Sequence, residues 1–194
     1  MKKLKERILR EGKSLPGDIL KVDSFLNHQI DVKTAEEIGN AFYRRFKDRP
    51  VTKILTVESG GIIFACETAR AFGYLPVVFG KKGYAANMDE DTFAMGAHSY
   101  TRQSDYVVRI SKEYLNREDH VLIIDDFLAN GEAMTALIML AEQAGAVIEG
   151  CGAVVEKSYQ PGRKRIRELG YEVEALVRIS SLENGRILFE ETEE

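Results

Sequence analysis

Residues 121–133 read VLIIDDFLANGEA, and they constrain the fold more tightly than any other segment of the chain. Four apolar residues in a row favour a parallel strand that is covered on both faces. Two carboxylates, Asp125 and Asp126, follow directly, and the loop 129–133 then leads into a helix predicted over about 133–143. A buried strand, a short loop and a helix in this order predict one unit of an α/β sheet.

Similar units lie on both sides of this segment, because short apolar runs alternate with helical patterns along most of the chain. Repetition of this kind predicts a mostly parallel central sheet flanked by helices, and thus an α/β fold. The predicted strands cover residues 53–58, 75–79, 147–156 and 171–179, and the predicted helices between them cover about 62–72 and a basic stretch that begins after Pro161-Gly162.

Two segments stand outside the alternation. The N-terminal segment ends in a helix predicted over Thr34 to Phe46, where Thr34 and Glu37 match a capping box. Residues 80–106 include small and acidic residues with little hydrophobic periodicity, which is typical of a functional lid or a disordered segment. We expect one domain over 1–194, with an N-terminal part over about 1–36, a core over about 37–180 and a flexible lid over 80–106.

Composition excludes several classes of protein. Hydrophobic residues make up 44% and charged residues 30% of the 194 residues, which is typical of a globular domain. The net charge of −4 argues against a protein that mainly binds nucleic acid. No signal peptide and no apolar run of about 18 residues is present, so we expect a cytoplasmic protein without a membrane span. Cys66 and Cys151 are expected to be buried, small hydrophobic residues rather than metal ligands.

The acidic pair and the loop after it predict a ligand site. In open α/β sheets, ligands bind at the carboxyl ends of the strands, where Asp125 and Asp126 are expected. The loop 129–133 leads into a helix N-terminus, whose unpaired N–H groups favour anions. Carboxylates beside a phosphate cradle suit a sugar phosphate. The alternative from this segment alone is that the two aspartates merely cap the helix.

The whole string resembles the phosphoribosyl-diphosphate motif of type I phosphoribosyltransferases, which is an apolar strand, two acidic residues, a hydrophobic pair and a small-residue loop. This loop departs from the usual pattern, because it reads Ala-Asn-Gly-Glu-Ala where Thr and Gly are common. Glu132 carries the wrong charge for a phosphate site. It is tolerable there if backbone amides bind the phosphate and the side chain points outward.

Other segments narrow the resemblance to the bacterial xanthine phosphoribosyltransferases, and the similarity extends over nearly the whole chain. The segment 20–30, LKVDSFLNHQI, is the most specific to that family, and 125–131 and 156–163 are also similar. The family implies the type I phosphoribosyltransferase fold, in which the N-terminal segment forms a small hood over the base site and a lid loop closes. It also implies purine salvage, with xanthine and phosphoribosyl diphosphate as substrates, and a homodimer.

Family positions carry over to residues of this chain. Asp125 and Asp126 match the catalytic acidic pair that engages the ribose hydroxyls, and Ser59 and Gly60 match the loop that receives pyrophosphate. Lys81 and Lys82 in the lid segment are candidates for contact with the diphosphate. Base-binding positions fall on Leu20, Asn27 and Lys157, and positions for phosphoribosyl diphosphate fall on Ala129, Asn130, Gly131, Glu132 and Ala133.

The implied reaction joins a purine nitrogen to C1 of the ribose and expels pyrophosphate. It requires positioning and charge neutralisation rather than a covalent nucleophile. Mg²⁺ is expected on the diphosphate, with no dedicated protein metal site. Lys157 can only donate hydrogen bonds, so it suits a 6-oxo purine and not adenine. Asn27 can donate to the second carbonyl of xanthine, whereas guanine would require its amide to be turned.

Three alternatives remain open at this point. A transferase of the same fold could prefer guanine or hypoxanthine. A transcriptional regulator of the same fold could bind phosphoribosyl diphosphate without turnover, although the segment before residue 53 leaves little room for a DNA-binding domain. Lys157 could instead be a solvated lysine paired with Glu156. The basic stretch 163–167 is expected to be a solvated face rather than a nucleic-acid patch.

Overall fold

The computed structural model describes residues 1–83, 91–99 and 104–190. The chain folds into helices that pack on an eight-stranded sheet, with a small hairpin near the N-terminus. The helices are α1 (Lys2–Glu11), α2 (Val32–Phe46), α3 (Ile62–Ala71), α4 (Glu132–Gln143) and α5 (Gly162–Glu168), and the strands are β1 (Lys13–Leu15), β2 (Ile19–Lys21), β3 (Lys53–Val57), β4 (Val77–Lys82), β5 (Thr92–Ser99), β6 (Ser104–Ser111), β7 (His120–Leu128), β8 (Val147–Lys157), β9 (Val173–Ser181) and β10 (Leu188–Phe189).

The main sheet has the strand order β10-β9-β8-β7-β3-β4-β6-β5. Its five central strands, from β9 to β4, run parallel to one another, whereas β10, β6 and β5 pair antiparallel at the two sides. Helices α3, α4 and α5 connect parallel strands, as the alternating pattern predicted. The predicted α/β fold with a mostly parallel sheet is therefore confirmed.

Strand β7 is buried on both faces, which explains its uninterrupted apolar run. Leu122 and Ile124 belong to the core under α1, α2 and α3. Val121 and Ile123 belong to the opposite core, where α4 and α5 pack. The acidic pair interrupts this apolar pattern, and beyond it Phe127 packs against the first core while Leu128 belongs to the second.

The N-terminal segment packs over one end of the sheet. It comprises α1, the β1–β2 hairpin and a π-helical turn over Asp23–Asn27. Helix α2 begins two residues earlier than the sequence predicted, because the side chain of Asp31 accepts a hydrogen bond from the Thr34 amide at 2.8 Å. The expected capping box at Thr34 is therefore wrong: Asp31 is the cap, and its carboxylate also pairs with Arg7 of α1 at 3.0 Å.

The segment 80–106 contains more regular structure than its sequence suggested. Its described parts include the end of β4, all of β5 and the start of β6, and β5 and β6 pair in a continuous antiparallel ladder. Tertiary pairing thus overrides a weak local pattern. Residues 84–90 and 100–103 of the predicted lid lie outside the described residues.

The two cysteines differ in their exposure to solvent. Cys151 is buried as expected, but Cys66 is exposed on α3, so that part of the prediction is wrong. Within residues 1–83, 91–99 and 104–190, every helix is too short or too polar to cross a membrane.

Candidate active site

The strand order places a topological switch point between β3 and β7. From β3 the chain crosses through α3 to β4 on one side, while from β7 it crosses through α4 to β8 on the other side. Helices that leave two neighbouring parallel strands in opposite directions open a crevice at their carboxyl ends, which is where such sheets bind ligands.

A cavity of about 300 Å³ occupies this crevice. Its walls come from the turn after β3, the end of β7, the loop before α4 and three side chains of the β4–β6 region. The lining residues are Val57, Glu58, Ser59, Gly60, Lys82, His98, Tyr106, Asp125, Asp126, Phe127, Leu128, Ala129, Asn130, Gly131, Glu132, Ala133 and Met134.

Asp125 and Asp126 lie within strand β7, close to its carboxyl end, rather than after the strand. Asp125 is only 4% exposed, and one of its carboxylate oxygens accepts from the Asp126 amide at 2.9 Å. Asp126 accepts in the same way from the Phe127 amide at 2.9 Å. Neither aspartate caps the next helix, because α4 has Gly131 at its N-cap and no side-chain cap. The capping alternative is therefore wrong.

Burial raises the pKa of Asp125 well above its ordinary value, and the neighbouring charge of Asp126 raises it further. Lys82 acts in the opposite direction, which places its ammonium within electrostatic reach of the pair. A buried carboxyl beside a second carboxylate binds its proton more tightly because both the low dielectric and the like charge disfavour ionisation. Burial and the neighbouring charge thus both favour the protonated form of Asp125 over its ionised form.

The turn after β3 fits against this pair only because it contains glycine. A Cβ atom on Gly60 would stand 2.1 Å from Oδ2 of Asp126, and one on Gly61 would stand 2.3 Å from Oγ1 of Thr56. The side chain of Glu58 accepts a hydrogen bond from the Lys82 amide at 2.5 Å, which ties the turn to the end of β4. Ser59 and Gly60 therefore share one cavity with the acidic pair.

The loop between β7 and α4 is held by a close contact with α5. The Ala129 carbonyl accepts from the Gly162 amide at 2.9 Å, and a Cβ atom on Gly131 would stand 2.9 Å from Cα of Gly162. Gly131 has φ +84°, a conformation that favours glycine. The loop thus presents the N–H groups of the first turn of α4 towards the cavity, where an anion would be stabilised.

The two lysines at the end of β4 do not share a site. Lys82 lines the cavity, and its ammonium lies 5.2 Å from the centre of the Tyr106 ring. Lys81 pairs in register with Arg109 of β6 and lines a separate cavity of about 570 Å³. Consecutive residues of a strand point to opposite faces, so only one of the two can face the ligand.

The candidate base residues lie beside this cavity rather than in its lining. Leu20 is buried in the core under the N-terminal segment. Lys157 is the last residue of β8, and its ammonium donates to the backbone carbonyl of Asp18 at 2.5 Å. Glu156, next to it, is the register partner of Leu128, so the end of β8 adjoins the cavity wall. Asn27 is exposed at the end of the π-helical turn.

Lys157 is not paired with Glu156, so that alternative is wrong. Glu156 is 1% exposed and pairs instead with Arg163 at 2.6 Å and with Arg178 at 3.0 Å. Burial lowers the pKa of Lys157, and the charge of Asp18 partly offsets this. The Lys157 ammonium is therefore partly buried, and it is held against the loop between β1 and β2.

The basic stretch 163–167 forms α5, and its charges are taken up within the chain. Arg163 pairs with Glu156, Arg165 with Glu132, and Arg167 with Glu172. The Arg163 contact is bidentate and partly buried, so this helix is not simply the solvated face that was expected.

Sequence reasoning did not assign several of the lining residues to the site, and among them are Phe127, His98 and Tyr106. Phe127 lies within the motif and packs against the core of the N-terminal segment. His98 and Tyr106 come from β5 and β6, and the His98 ring lies 2.7 Å from Asp105. Only the pairing of distant strands brings these two residues to the site, so no local sequence signal could have found them.

Several side chains of the cavity carry oxygen atoms, which are the ligands that Mg²⁺ prefers. Within the described ranges 1–83, 91–99 and 104–190, no group of three or more His, Cys, Asp or Glu side chains is arranged to hold a metal ion. The carboxylates of the cavity are nonetheless of the chemical type that could hold Mg²⁺.

Comparison with known proteins agrees with this geometry. Residues 22–177 match the phosphoribosyl transferase domain family. The chain is 51% identical over 189 residues to the xanthine phosphoribosyltransferase of Clostridium novyi, covering 97% of this chain and 99% of that protein. It is 49% identical over 191 residues to the xanthine phosphoribosyltransferase of Bifidobacterium adolescentis, with coverage of 97% and 99%.

Solved structures show the same fold at lower identity. The adenine phosphoribosyltransferase from Rhodothermus marinus superposes with a TM-score of 0.72 at 22% identity, covering 92% of this chain and 99% of that one. The enzyme from Giardia lamblia superposes with a TM-score of 0.71 at 23% identity, covering 85% and 90%. Both likenesses establish the type I phosphoribosyltransferase fold.

Proposed function

The chain belongs to the phosphoribosyl transferase domain family, and from that premise we propose that it converts xanthine and 5-phospho-α-D-ribose 1-diphosphate to xanthosine 5′-monophosphate and pyrophosphate. It is a pentosyltransferase of purine salvage. Two xanthine phosphoribosyltransferases that match it at about half of all positions, over nearly the full length of both chains, support this assignment.

The observation that carries the proposal is the convergence of three segments on one cavity. The acidic pair of β7, the loop 129–133 and the Ser59-Gly60 turn all line the crevice at the switch point. The volume of about 300 Å³ suits a compact sugar phosphate. A carboxylate pair, a helix N-terminus and a glycine turn together offer acceptors for hydroxyls and donors for two phosphate groups.

The residues would divide the substrate between them. Amides of the loop 129–133 and the first turn of α4 bind the 5′-phosphate, because these N–H groups have no partner within the helix. Asp125 and Asp126 accept hydrogen bonds from the ribose hydroxyls. In this position, the carboxylates also stabilise the positive charge that develops on the ribose as the bond to pyrophosphate breaks.

The diphosphate faces the turn at Ser59 and Gly60, where the absence of a side chain on Gly60 lets a ligand approach the backbone. Lys82 neutralises part of the charge that builds on the leaving group. We propose that Mg²⁺ enters on the diphosphate and that the carboxylate of Asp126, which lines the cavity, would be available to hold it there. The metal supplies further charge neutralisation when bound.

The purine lies beside Phe127, towards the N-terminal segment. Lys157 donates to the 6-oxo group, and the Asp18 carbonyl fixes the direction of its ammonium. Asn27 would donate to the 2-oxo group that distinguishes xanthine from hypoxanthine. Because Asn27 is exposed, this contact requires the π-helical turn to close over the base.

The proposal is tested by incubating the pure protein with phosphoribosyl diphosphate, Mg²⁺ and xanthine, guanine, hypoxanthine or adenine in turn. We expect nucleotide to form fastest with xanthine and not at all with adenine. A preference for guanine would replace the substrate while leaving the reaction class intact. If no purine gave a nucleotide and the protein bound DNA tightly and sequence-specifically in a gel-shift assay, the result would support a transcriptional regulator of the same fold instead.

We propose further that the protein is a homodimer of the cytosol. Both cysteines are unpaired, which suits a reducing compartment. Phe79 and Tyr114 are 39% and 55% exposed and border the cavity of about 570 Å³, an apolar surface of the kind that protein contacts bury. Sedimentation at working concentration should give about twice the chain mass of 21.8 kDa, and a monomer would contradict the proposal.

A further inference from the structure

The candidate active site is lined by more acidic than basic side chains, although its proposed substrate is a polyanion. Among the described residues, the cavity is lined by four acidic side chains and one lysine. The acidic residues are Glu58, Asp125, Asp126 and Glu132, and the lysine is Lys82. Each carboxylate therefore needs a partner or a proton if phosphate is to bind beside it. Burial raises the pKa of Asp125, and the Glu58 carboxylate accepts a hydrogen bond from the Lys82 backbone amide.

Glu132 is the acidic residue within the loop 129–133, which is the proposed phosphate site. It is the first residue of α4, so its backbone belongs to the turn that would bind the 5′-phosphate. Its side chain lines both the active-site cavity and a neighbouring cavity of about 440 Å³. A negative charge at this position repels a phosphate dianion unless it is neutralised nearby.

Arg165 supplies that neutralisation from α5. Its guanidinium donates to Oε1 of Glu132, and the two side chains are 39% and 24% exposed. An ion pair of this exposure adds little to the free energy of folding. It does, however, fix where the Glu132 charge lies, because the planar guanidinium holds a carboxylate in one direction.

The backbone around this pair leaves little room for adjustment. The Gly162 amide binds the Ala129 carbonyl, and Gly131 packs against Gly162 so closely that neither could carry a side chain. The N-terminus of α5 therefore packs directly against the loop 129–133. This contact places the backbone of Arg165, three residues further along α5, where its side chain reaches Glu132.

We propose that Arg165 is a positioning residue for phosphoribosyl diphosphate: by holding and neutralising the Glu132 carboxylate, it makes the loop 129–133 competent to bind the 5′-phosphate. Arg165 touches no reacting atom. It acts through Glu132, so its removal affects the phosphate substrate and not the purine. The inference rests on the proposed function, since it concerns how that function's substrate is bound.

The test compares Arg165→Ala, Arg165→Lys and the double variant Arg165→Ala/Glu132→Gln, with Arg167→Ala as the matched control on the same helix. We measure KM for phosphoribosyl diphosphate, KM for xanthine and kcat. Arg165→Ala should raise KM for phosphoribosyl diphosphate about tenfold and change KM for xanthine less than about twofold, because about 1.4 kcal/mol of charge repulsion returns at the phosphate alone. Arg165→Lys should retain most of the affinity, and Arg167→Ala all of it.

The double variant separates charge neutralisation from a merely structural brace. If Arg165 acts by neutralising Glu132, removing both charges restores KM for phosphoribosyl diphosphate to within about threefold of wild type. If Arg165 only braces α5, the double variant stays as impaired as Arg165→Ala, and the inference is overturned. An unchanged KM in Arg165→Ala overturns it too.

Failure of the proposed function gives a different result. In that case the wild-type protein itself forms no nucleotide with phosphoribosyl diphosphate, which overturns the proposed function and this inference together. When the wild type is active, the variants decide the role of Arg165 alone. Circular dichroism melting of Arg165→Ala should match that of Arg167→Ala within a few degrees, since both lose one exposed ion pair.

Discussion

At the scale of single residues, Asp125 is expected to lower the stability of the fold while serving the proposed reaction. Burial and the charge of Asp126 raise its pKa in the folded chain above the ordinary value of 3.8. A carboxyl group whose pKa is higher folded than unfolded binds more protons in the folded state. Stability then falls as the pH rises from about 4 through the raised pKa, because ionising the buried group is unfavourable.

Asp125→Asn should therefore be more stable than wild type at pH 7 and less active. The amide keeps an acceptor for the Asp126 backbone but has no charge to bury. The difference in unfolding free energy, measured with urea, should shrink as the pH is lowered to below about 3, where wild-type Asp125 is protonated in both the folded and the unfolded state. Turnover should fall roughly tenfold to a hundredfold with loss of a charged hydrogen bond. Equal stability at all pH values would contradict the assigned burial.

Lys157 is expected to determine selectivity for the base. Lys157→Ala removes a charged donor to the 6-oxo group, so KM for xanthine should rise roughly tenfold to a hundredfold. KM for phosphoribosyl diphosphate should change less than about twofold, because Lys157 does not line the phosphate cavity. Lys164→Ala, an exposed lysine of α5, is the control and should change neither value. Equal losses for both substrates would argue against a role in base recognition.

Single residues also show what sequence alone could and could not predict. The acidic pair, the loop 129–133 and the Ser59-Gly60 turn were identified from their motifs, and the structure brings them to one cavity. His98 and Tyr106 were missed because strands β5 and β6 reach the site only through the sheet. Lys81 and Lys82 looked equivalent in sequence, and the pleat of β4 separates them.

At the scale of elements, the loop between β7 and α4 depends on glycine at residue 131. Gly131→Ala places a side chain in a left-handed conformation and against Gly162. It should lower the unfolding free energy by about 1 to 2 kcal/mol and raise KM for phosphoribosyl diphosphate about tenfold or more, since the cradle shifts.

Gly73→Ala is the matched control for that substitution. Gly73 has φ +89° and lies just past the end of α3, and a Cβ atom at this position would have no neighbour within 4 Å. It should show a similar loss of stability without a change in KM. A rise in KM for both variants would mean that the loop contact has no special role.

The second element-scale feature is the ion-pair network that holds α5 to the sheet. Glu156 on β8 is 1% exposed and binds Arg163 through both carboxylate oxygens, while Arg163 also donates to the Val173 carbonyl at 2.8 Å. Arg163→Ala leaves a buried carboxylate with Arg178 as its remaining partner. We expect a loss of about 2 to 3 kcal/mol of unfolding free energy by urea denaturation.

Lys164→Ala, on the same helix, loses only an exposed pair with Glu168 at 3.8 Å. Its unfolding free energy should change by less than about 1 kcal/mol. Equal effects of the two substitutions would show that the Glu156 network does not anchor α5. The basic composition of this helix hid its role from sequence analysis, because a charge pattern does not reveal which arginine turns inward.

For the whole molecule, periodicity predicted the α/β architecture because buried parallel strands and amphipathic helices have distinct patterns. The described strands of the 80–106 segment were missed because antiparallel pairing at a sheet edge compensates for a weak local pattern. Helix α2 was placed with the wrong cap because Asp31 and Thr34 both suit an N-cap, and only the Asp31 side chain makes the bond.

The molecule as a whole has a net charge of −4, whereas its proposed substrate, phosphoribosyl diphosphate, is a polyanion. We attribute the proposed binding of this anion to local features of the site. These are the backbone amides at the start of α4, Lys82, the raised pKa of Asp125 and the ion pair between Glu132 and Arg165. A global positive field is unnecessary when the charges around the ligand are arranged individually. The proposed Mg²⁺ would complete this local balance.

The most direct test of the whole account is an experimental structure of the protein with xanthosine 5′-monophosphate. We predict the 5′-phosphate within hydrogen-bond distance of the backbone amides of 129–133, the ribose hydroxyls on Asp125 and Asp126, and the 6-oxo group on Lys157. A phosphate bound away from the N-terminus of α4, or a purine that does not reach Lys157, would contradict it.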